Sequence, residues 1–124
     1  MVLVDTSVWV DHFRHGNAQL ADLLERNAVL MHPFVVGEIA CENLTDRIST
    51  LELLQQLPVA LVAEPDEVLV YIARHSLYGK GIGYVDVHLL ASAAIGSAQL
   101  WTRDKRLLAV ARGLGYALPD AGTP

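Results

Sequence analysis

Val2-Leu3-Val4-Asp5-Thr6-Ser7-Val8-Trp9 is the stretch that decides the fold of this chain. Three consecutive apolar residues suit a short strand buried on both faces, the condition of a parallel strand inside an α/β sheet. An acid follows at once, and then Thr6 or Ser7, either of which can cap a helix over 6–14. The chain therefore turns at the carboxyl end of a strand. That is the edge where open parallel sheets carry their ligands.

The same alternation recurs downstream. Residues 28–31, 59–63, 98–102 and 116–118 are short apolar runs that read as further strands. Helical patterns lie between them, over 17–27, 33–44, 46–57, 64–78, 84–95 and 104–112. Pro33 suits a first helical position, and Glu64-Pro65-Asp66-Glu67 places acids in a first turn, where the helix dipole favours them. Strands separated by helices predict an α/β domain with a central parallel sheet of about four to five strands, flanked by helices on both faces. Neither a repeat nor an internal linker interrupts it. Residues 1–120 read as one domain and 121–124 as a short tail.

Composition bounds the function. The chain has 124 residues, 52% of them apolar and only 19% charged. That is too apolar for a disordered segment and long enough for one sizeable core. No apolar run approaches the roughly 18 residues of a membrane helix. The start, Met1 to Asp5, lacks the basic region of a signal peptide. The single cysteine, Cys41, excludes an intramolecular disulfide and reads as a small packed residue in a reducing compartment. The expectation is a soluble cytoplasmic domain with no membrane partner. A formal net charge of −5 argues against indiscriminate nucleic-acid binding. The charge is uneven, however. Residues 1–70 hold three basic and eleven acidic residues, whereas 71–116 hold six basic residues and two acids. The basic stretch of Arg74, Lys80, Arg103, Lys105, Arg106 and Arg112 can meet phosphates, or it can be one part of a mixed surface.

Four acids fall at the predicted carboxyl edge: Asp5, Glu38, Asp86 and Asp104. Singly, Asp5 and Asp104 read as helix N-caps. Glu38 reads as an ordinary helical glutamate beside Val35, Val36 and Ile39. Asp86 lies within the stripe of Val85, Leu89, Leu90 and Ala93, and so points inward near a helix start. Together they imply something else. Carboxylates gathered in a partly dry cleft repel one another, and a hard divalent cation relieves the repulsion. Mg²⁺ or Mn²⁺ suits such a donor set, whereas zinc would call for clustered Cys and His. Carboxylate-held Mg²⁺ suits phosphoryl chemistry.

These residues also carry a family resemblance. Asp5-Thr6-Ser7-Val8-Trp9, Glu38 within Val36-Gly37-Glu38-Ile39, Asp86 within Tyr84-Val85-Asp86-Val87-His88-Leu89-Leu90, and Asp104 within Trp101-Thr102-Arg103-Asp104 resemble PIN-domain ribonucleases, in particular the VapC toxins of bacterial toxin–antitoxin modules. The resemblance spans essentially the whole chain. It implies a PIN-like nuclease domain and a Mg²⁺- or Mn²⁺-dependent endoribonuclease toxin. It also implies a homodimer restrained by a VapB-type antitoxin, through which alone DNA would be met. Asp5, Glu38, Asp86 and Asp104 match the family's metal-binding acids, and Thr6, Ser7 and Thr102 match supporting hydroxyls. Lys80, Arg103, Lys105 and Arg106 are the candidate RNA contacts. Many members carry a further acid where Arg106 stands, so a second metal is left open.

Rival functions fit less well. A receiver domain needs a phosphorylatable Asp after the third strand and a Lys after the fifth; Ala63-Glu64-Pro65 and Leu118-Pro119 stand there instead. A haloacid-dehalogenase-type phosphatase wants a second Asp where Ser7 lies. A non-catalytic PIN-like RNA- or protein-binding module is the alternative that remains. His12 and His15 read as a solvated helix end, and His32 and His75 as isolated. The Gly79–Gly83 loop spaces its glycines wrongly for a phosphate fingerprint and reads as a rim beside Asp86. The expected dimer surface is the apolar side of the 46–57 or 33–44 helix, with Trp9 as another anchor.

Overall fold

The computed structural model describes residues 1–120, and the expected tail at 121–124 lies outside the described residues. The opening strand, β1 (Val2–Val4), takes the middle of a three-stranded parallel sheet. On one side β2 (Val29–Leu30) pairs with it, Val2 to Val29 and Leu3 to Leu30. On the other, β3 (Gln99–Trp101) pairs Leu3 with Leu100 and Val4 with Trp101. Single parallel bridges, Met31 to Val59 and Leu100 to Ala117, continue the sheet at its two flanks. All five expected strand segments are thus in place, but the outer two are reduced to one bridge each. Pro58 and Pro119 bring no N–H to those edges, and Val59, Leu61 and Val62 stand exposed without a covering layer.

Seven helices complete the described chain: α1 (Thr6–His15), α2 (Ala18–Glu25), α3 (Pro33–Ala40), α4 (Arg47–Gln55), α5 (Pro65–His75), α6 (Tyr84–Ile95) and α7 (Lys105–Leu114). Their starts follow the capping chemistry. The Asn17 side chain accepts from the Leu20 N–H, and Pro33 and Pro65 enter first turns. Several helices end earlier than their apolar stripes suggest. Because α3 stops at Ala40, Cys41 becomes its C-cap and is exposed, not packed as expected.

All three residues of β1 are buried, so both faces of the sheet are covered. Leu3, Val4, Val8, Leu89, Leu100 and Trp101 are completely enclosed. Burying each such side chain is worth about 1.5–3 kcal/mol. Trp9 lies in this core at 2% exposure, which removes it as a dimer anchor. Helix α6 is buried without a break from Val87 to Ala93, and only its two ends reach the surface. From β1 the chain goes first to β2 on one side and later to β3 on the other. The strand order therefore reverses at β1, and the crevice beyond its carboxyl end is the natural ligand site. There the Asp5 N–H donates to the Trp101 carbonyl at 2.9 Å, holding the end of β1 against β3.

Candidate active site

Asp5 occupies the N-cap position of α1, yet its side chain caps nothing. Its Oδ2 accepts instead from Ser7 Oγ at 2.8 Å and from Thr102 Oγ1 at 2.7 Å. Each hydroxyl is used twice. Ser7 Oγ accepts from the Arg103 N–H and Thr102 Oγ1 from the Asp104 N–H, at 2.9 and 3.0 Å. Two short side chains thus bracket the loop after β3 against the acid after β1. The bracket is satisfied throughout, as a buried polar network must be if it is to hold one geometry.

The other acids are held in their own ways. Asp104 is the N-cap of α7, its Oδ1 accepting from the Arg106 and Leu107 N–H groups. Asp86 Oδ2 accepts from the Gly83 N–H at 3.0 Å across the first turn of α6. Glu38 is exposed on α3 and is reached by Thr6 Oγ1, which donates to Oε1 at 2.7 Å. In every case one carboxylate oxygen is fixed by the protein, and the second accepts no hydrogen bond from the described residues. None of the four belongs to an ion pair among those residues.

The acids also act on one another. Burial pushes the Asp86 carboxyl above the usual range; the Gly83 N–H pulls it back, and Asp5, Asp104 and Glu38 push it up again. Four carboxylates, at the N-caps of α1 and α7 and on α3 and α6, therefore share one electrostatic neighbourhood, with no ion-paired side chain of the described residues to offset them. They do not form a closed cage. Among the described residues, no three His, Cys, Asp or Glu side chains converge on one point as they stand. The donor set still fits Mg²⁺ or Mn²⁺, because Mg²⁺ keeps several waters and takes one or two carboxylates instead of a full protein shell.

The basic residues divide. Arg103 does not offer a free charge: its guanidinium pairs with Asp11 at 2.9 Å and with Asp120 at 3.7 Å. That pairing ties the loop after β3 to α1 and to the C-terminal segment, so the candidate RNA contact Arg103 shares its charge with two acids. Lys80, Lys105 and Arg106 are exposed and form no ion pair with the described residues. Arg106 lies flat across Gly81, whose φ is +77°; a Cβ there would come within 2.7 Å of Arg106 Cδ. The Gly79–Gly83 loop is therefore seated on α7, and Lys80 and Arg106 stand on one rim.

Other residues were not legible as a group. His32 is fully buried at the N-cap of α3, its Nδ1 accepting from the Phe34 N–H at 3.0 Å, and is far from isolated. Its ring centroid is 6.2 Å from that of His88, itself buried on α6. Burial first, and His88 second, lower the His32 pKa to about 4, and burial lowers that of His88. His32 Nε2 and His88 Nδ1 are both enclosed without a partner among the described residues. Phe34 and Tyr84 lean on His88. The one sequence signal was a polar residue directly before Pro33, a capping position.

The chain matches the family model described as PIN domain over residues 2–113. It is 45% identical over 121 residues to Ribonuclease VapC32 of Mycobacterium tuberculosis, in strain CDC 1551 / Oshkosh and in strain ATCC 25618 / H37Rv. That similarity covers 97% of this chain and 98% of each relative.

Proposed function

Since the chain belongs to the PIN-domain family, we propose that it is a ribonuclease of the VapC toxin type, an endoribonuclease that hydrolyses RNA phosphodiester bonds. The observation that carries the chemistry is the gathering of Asp5, Glu38, Asp86 and Asp104 at one sheet edge, each with one oxygen fixed and one open. Asp5, Asp86 and Asp104 would hold a divalent cation, Mg²⁺ or alternatively Mn²⁺. When bound, such an ion neutralises phosphodiester charge and acidifies water.

The rest follows from the chain's own groups. Ser7 and Thr102 keep the bound oxygen of Asp5 in place and leave its partner oxygen forward. Glu38, tethered by Thr6 and exposed, orients the attacking water and can take its proton, or else helps to hold a second ion. Lys80, Lys105 and Arg106 take the flanking phosphates. Among the described residues, their charge is not engaged by acids, and the floor of acids is not engaged by protein cations. A negative floor with a positive rim suits a cation below and a polyanion above.

The finer partners belong to the same proposal: a VapB-type antitoxin, and a homodimer through the apolar side of α3 or α4, where Ile48 and Leu53 are exposed. Light scattering at micromolar concentration that returns a monomer mass overturns the dimer. A non-catalytic PIN-like binding module is the second reading, favoured by the spacing of the acids. RNA cleavage in Mg²⁺ or Mn²⁺, measured against EDTA, separates the two. Cleavage that stops in EDTA and in Asp5→Asn and Asp86→Asn supports the nuclease. Binding without cleavage in either metal supports the module.

A further inference from the structure

The helices that carry Glu38 and Asp86 also carry a group of rings. The buried His88 imidazole has the Phe34 ring 4.7 Å away at 74° and the Tyr84 ring 4.7 Å away at 89°, both edge-to-face. Neither neighbour is buried with it: Phe34 is 37% exposed and Tyr84 49%. Phe34 lies in the first turn of α3, four residues before Glu38 and so on the same helical side. Tyr84 opens α6 on the side of His88, four residues on, and in the same first turn as Asp86, which lies on another side of the helix and accepts the Gly83 N–H. The two helices that bring acids to the sheet edge therefore each bring an exposed ring as well. His88 supports both rings, and His32 steadies Phe34 further, with ring centroids 5.1 Å apart.

We propose that Phe34 and Tyr84 form a stacking subsite for an unpaired nucleobase of the RNA, beside the phosphodiester at the acids; this rests on the ribonuclease reading. The acids with their cation and the basic rim act on the charged phosphates alone, so an uncharged base beside them needs an attraction that does not depend on charge. Aromatic stacking supplies it, and single-stranded RNA presents unpaired bases for that purpose. The rings need little ordering on binding because the buried imidazole already holds them. The exposed cations of the rim take the phosphates, the rings take a base, and every base has a face to offer. Purines, with the larger face, are preferred.

Leucine separates stacking from mere cover, since it shields His88 but presents no π-face. The Phe34→Leu/Tyr84→Leu protein should cleave single-stranded RNA with KM raised about five- to hundredfold and kcat little changed, given the usual value of one stacked base. Tyr84→Phe should behave as the parent. In an Asp5→Asn background with Mg²⁺, 2-aminopurine moved along an RNA oligomer should be quenched at one position, and the two leucines should abolish the quench. Inorganic polyphosphate should compete equally in all variants. If the double variant melts early, Tyr84→Leu alone serves, because half of that ring is already in water. Parent-like KM and quench in a folded leucine variant overturn the subsite while leaving the ribonuclease standing. A parent protein that neither binds nor cleaves RNA overturns both.

Discussion

Acid should weaken this fold chiefly through the buried His32, with His88, whose pKa burial also lowers, adding to it. The His32 imidazole is fully buried, and its Nδ1 accepts the Phe34 N–H that begins α3. Burial, and then the neighbouring His88, lower its pKa from 6.5 to about 4. The unfolded chain therefore takes up a proton near pH 6.5 that the folded chain refuses until about pH 4. Stability is present above that window and is lost as the pH falls through it. The whole displacement is worth about 3 kcal/mol, at about 1.36 kcal/mol for each pH unit. At pH 5, where ordinary carboxylates are still largely ionised, about 2 kcal/mol of it is gone. That is a sizeable part of the roughly 5–15 kcal/mol that holds a domain together. Urea unfolding at pH 7.5 and pH 5, followed by the fluorescence of the buried Trp9 and Trp101, measures it. His32→Asn is the matched control, since its amide oxygen can accept the same N–H but does not titrate. The variant should be weaker at pH 7.5 and lose about 2 kcal/mol less than the parent on acidification. Equal losses in both proteins would refute the assignment to His32.

Removing a site carboxylate should relieve the metal-free fold. Asp86→Asn should melt at or above the parent at pH 7, with the gain fading as the pH falls below the carboxylate range, because a raised pKa favours the protonated form of the folded state. In the parent, metal at a hundredfold excess over its dissociation constant should add about 2.7 kcal/mol, and the variant should lose most of that gain; a variant that melts low without metal yet cleaves RNA would return Asp86 to a helix-capping role. Replacing Lys105 and Arg106 by alanine should reduce the salt dependence of RNA binding by about 0.7 for each phosphate no longer neutralised, whereas Arg103→Ala should lower the melting temperature and leave the slope alone. A slope that falls only for Arg103→Ala reverses that division. Thr102→Val removes one arm of the Asp5 bracket and leaves a buried carboxylate short of a donor, at a cost of about 1–3 kcal/mol; Thr102→Ser should restore it, and equal melting of all three proteins would show the bond to be idle.

What could be read in advance was what neighbours in sequence decide. The strand, acid and helix start of residues 2–9 depend on local pattern, and β1 and α1 begin where that pattern places them. Helix α6 runs from Tyr84 to Ile95 as expected, bounded by glycines at 83 and 96. Pairings across the chain were hidden. Ser7, two residues on, is a visible competitor for the Asp5 carboxylate, but the second donor that keeps it from capping α1, Thr102, comes from the far end of the chain. Arg103 looked free for the same reason, its partner Asp11 being equally remote. His32 and His88 each looked ordinary until α3 and α6 met. Strand length at the sheet flanks was overestimated because an apolar run cannot tell a paired strand from an exposed edge.

The bracket that joins Asp5 to Thr102 has a bearing on biosynthesis. The strand bearing the acid is central, its neighbour β3 is nearly the last element made, and the hydroxyl bond between them cannot form until both have emerged. At roughly 5–20 residues per second, the acid leaves the ribosome about five to twenty seconds before its partner. During that interval a nascent chain holds every acid of the first half and none of the β3 scaffold that orients Asp5. Interrupted synthesis therefore yields a fragment whose Asp5 lacks the Thr102 hydroxyl, and the arrangement of the acids is completed only by the last fifth of the chain.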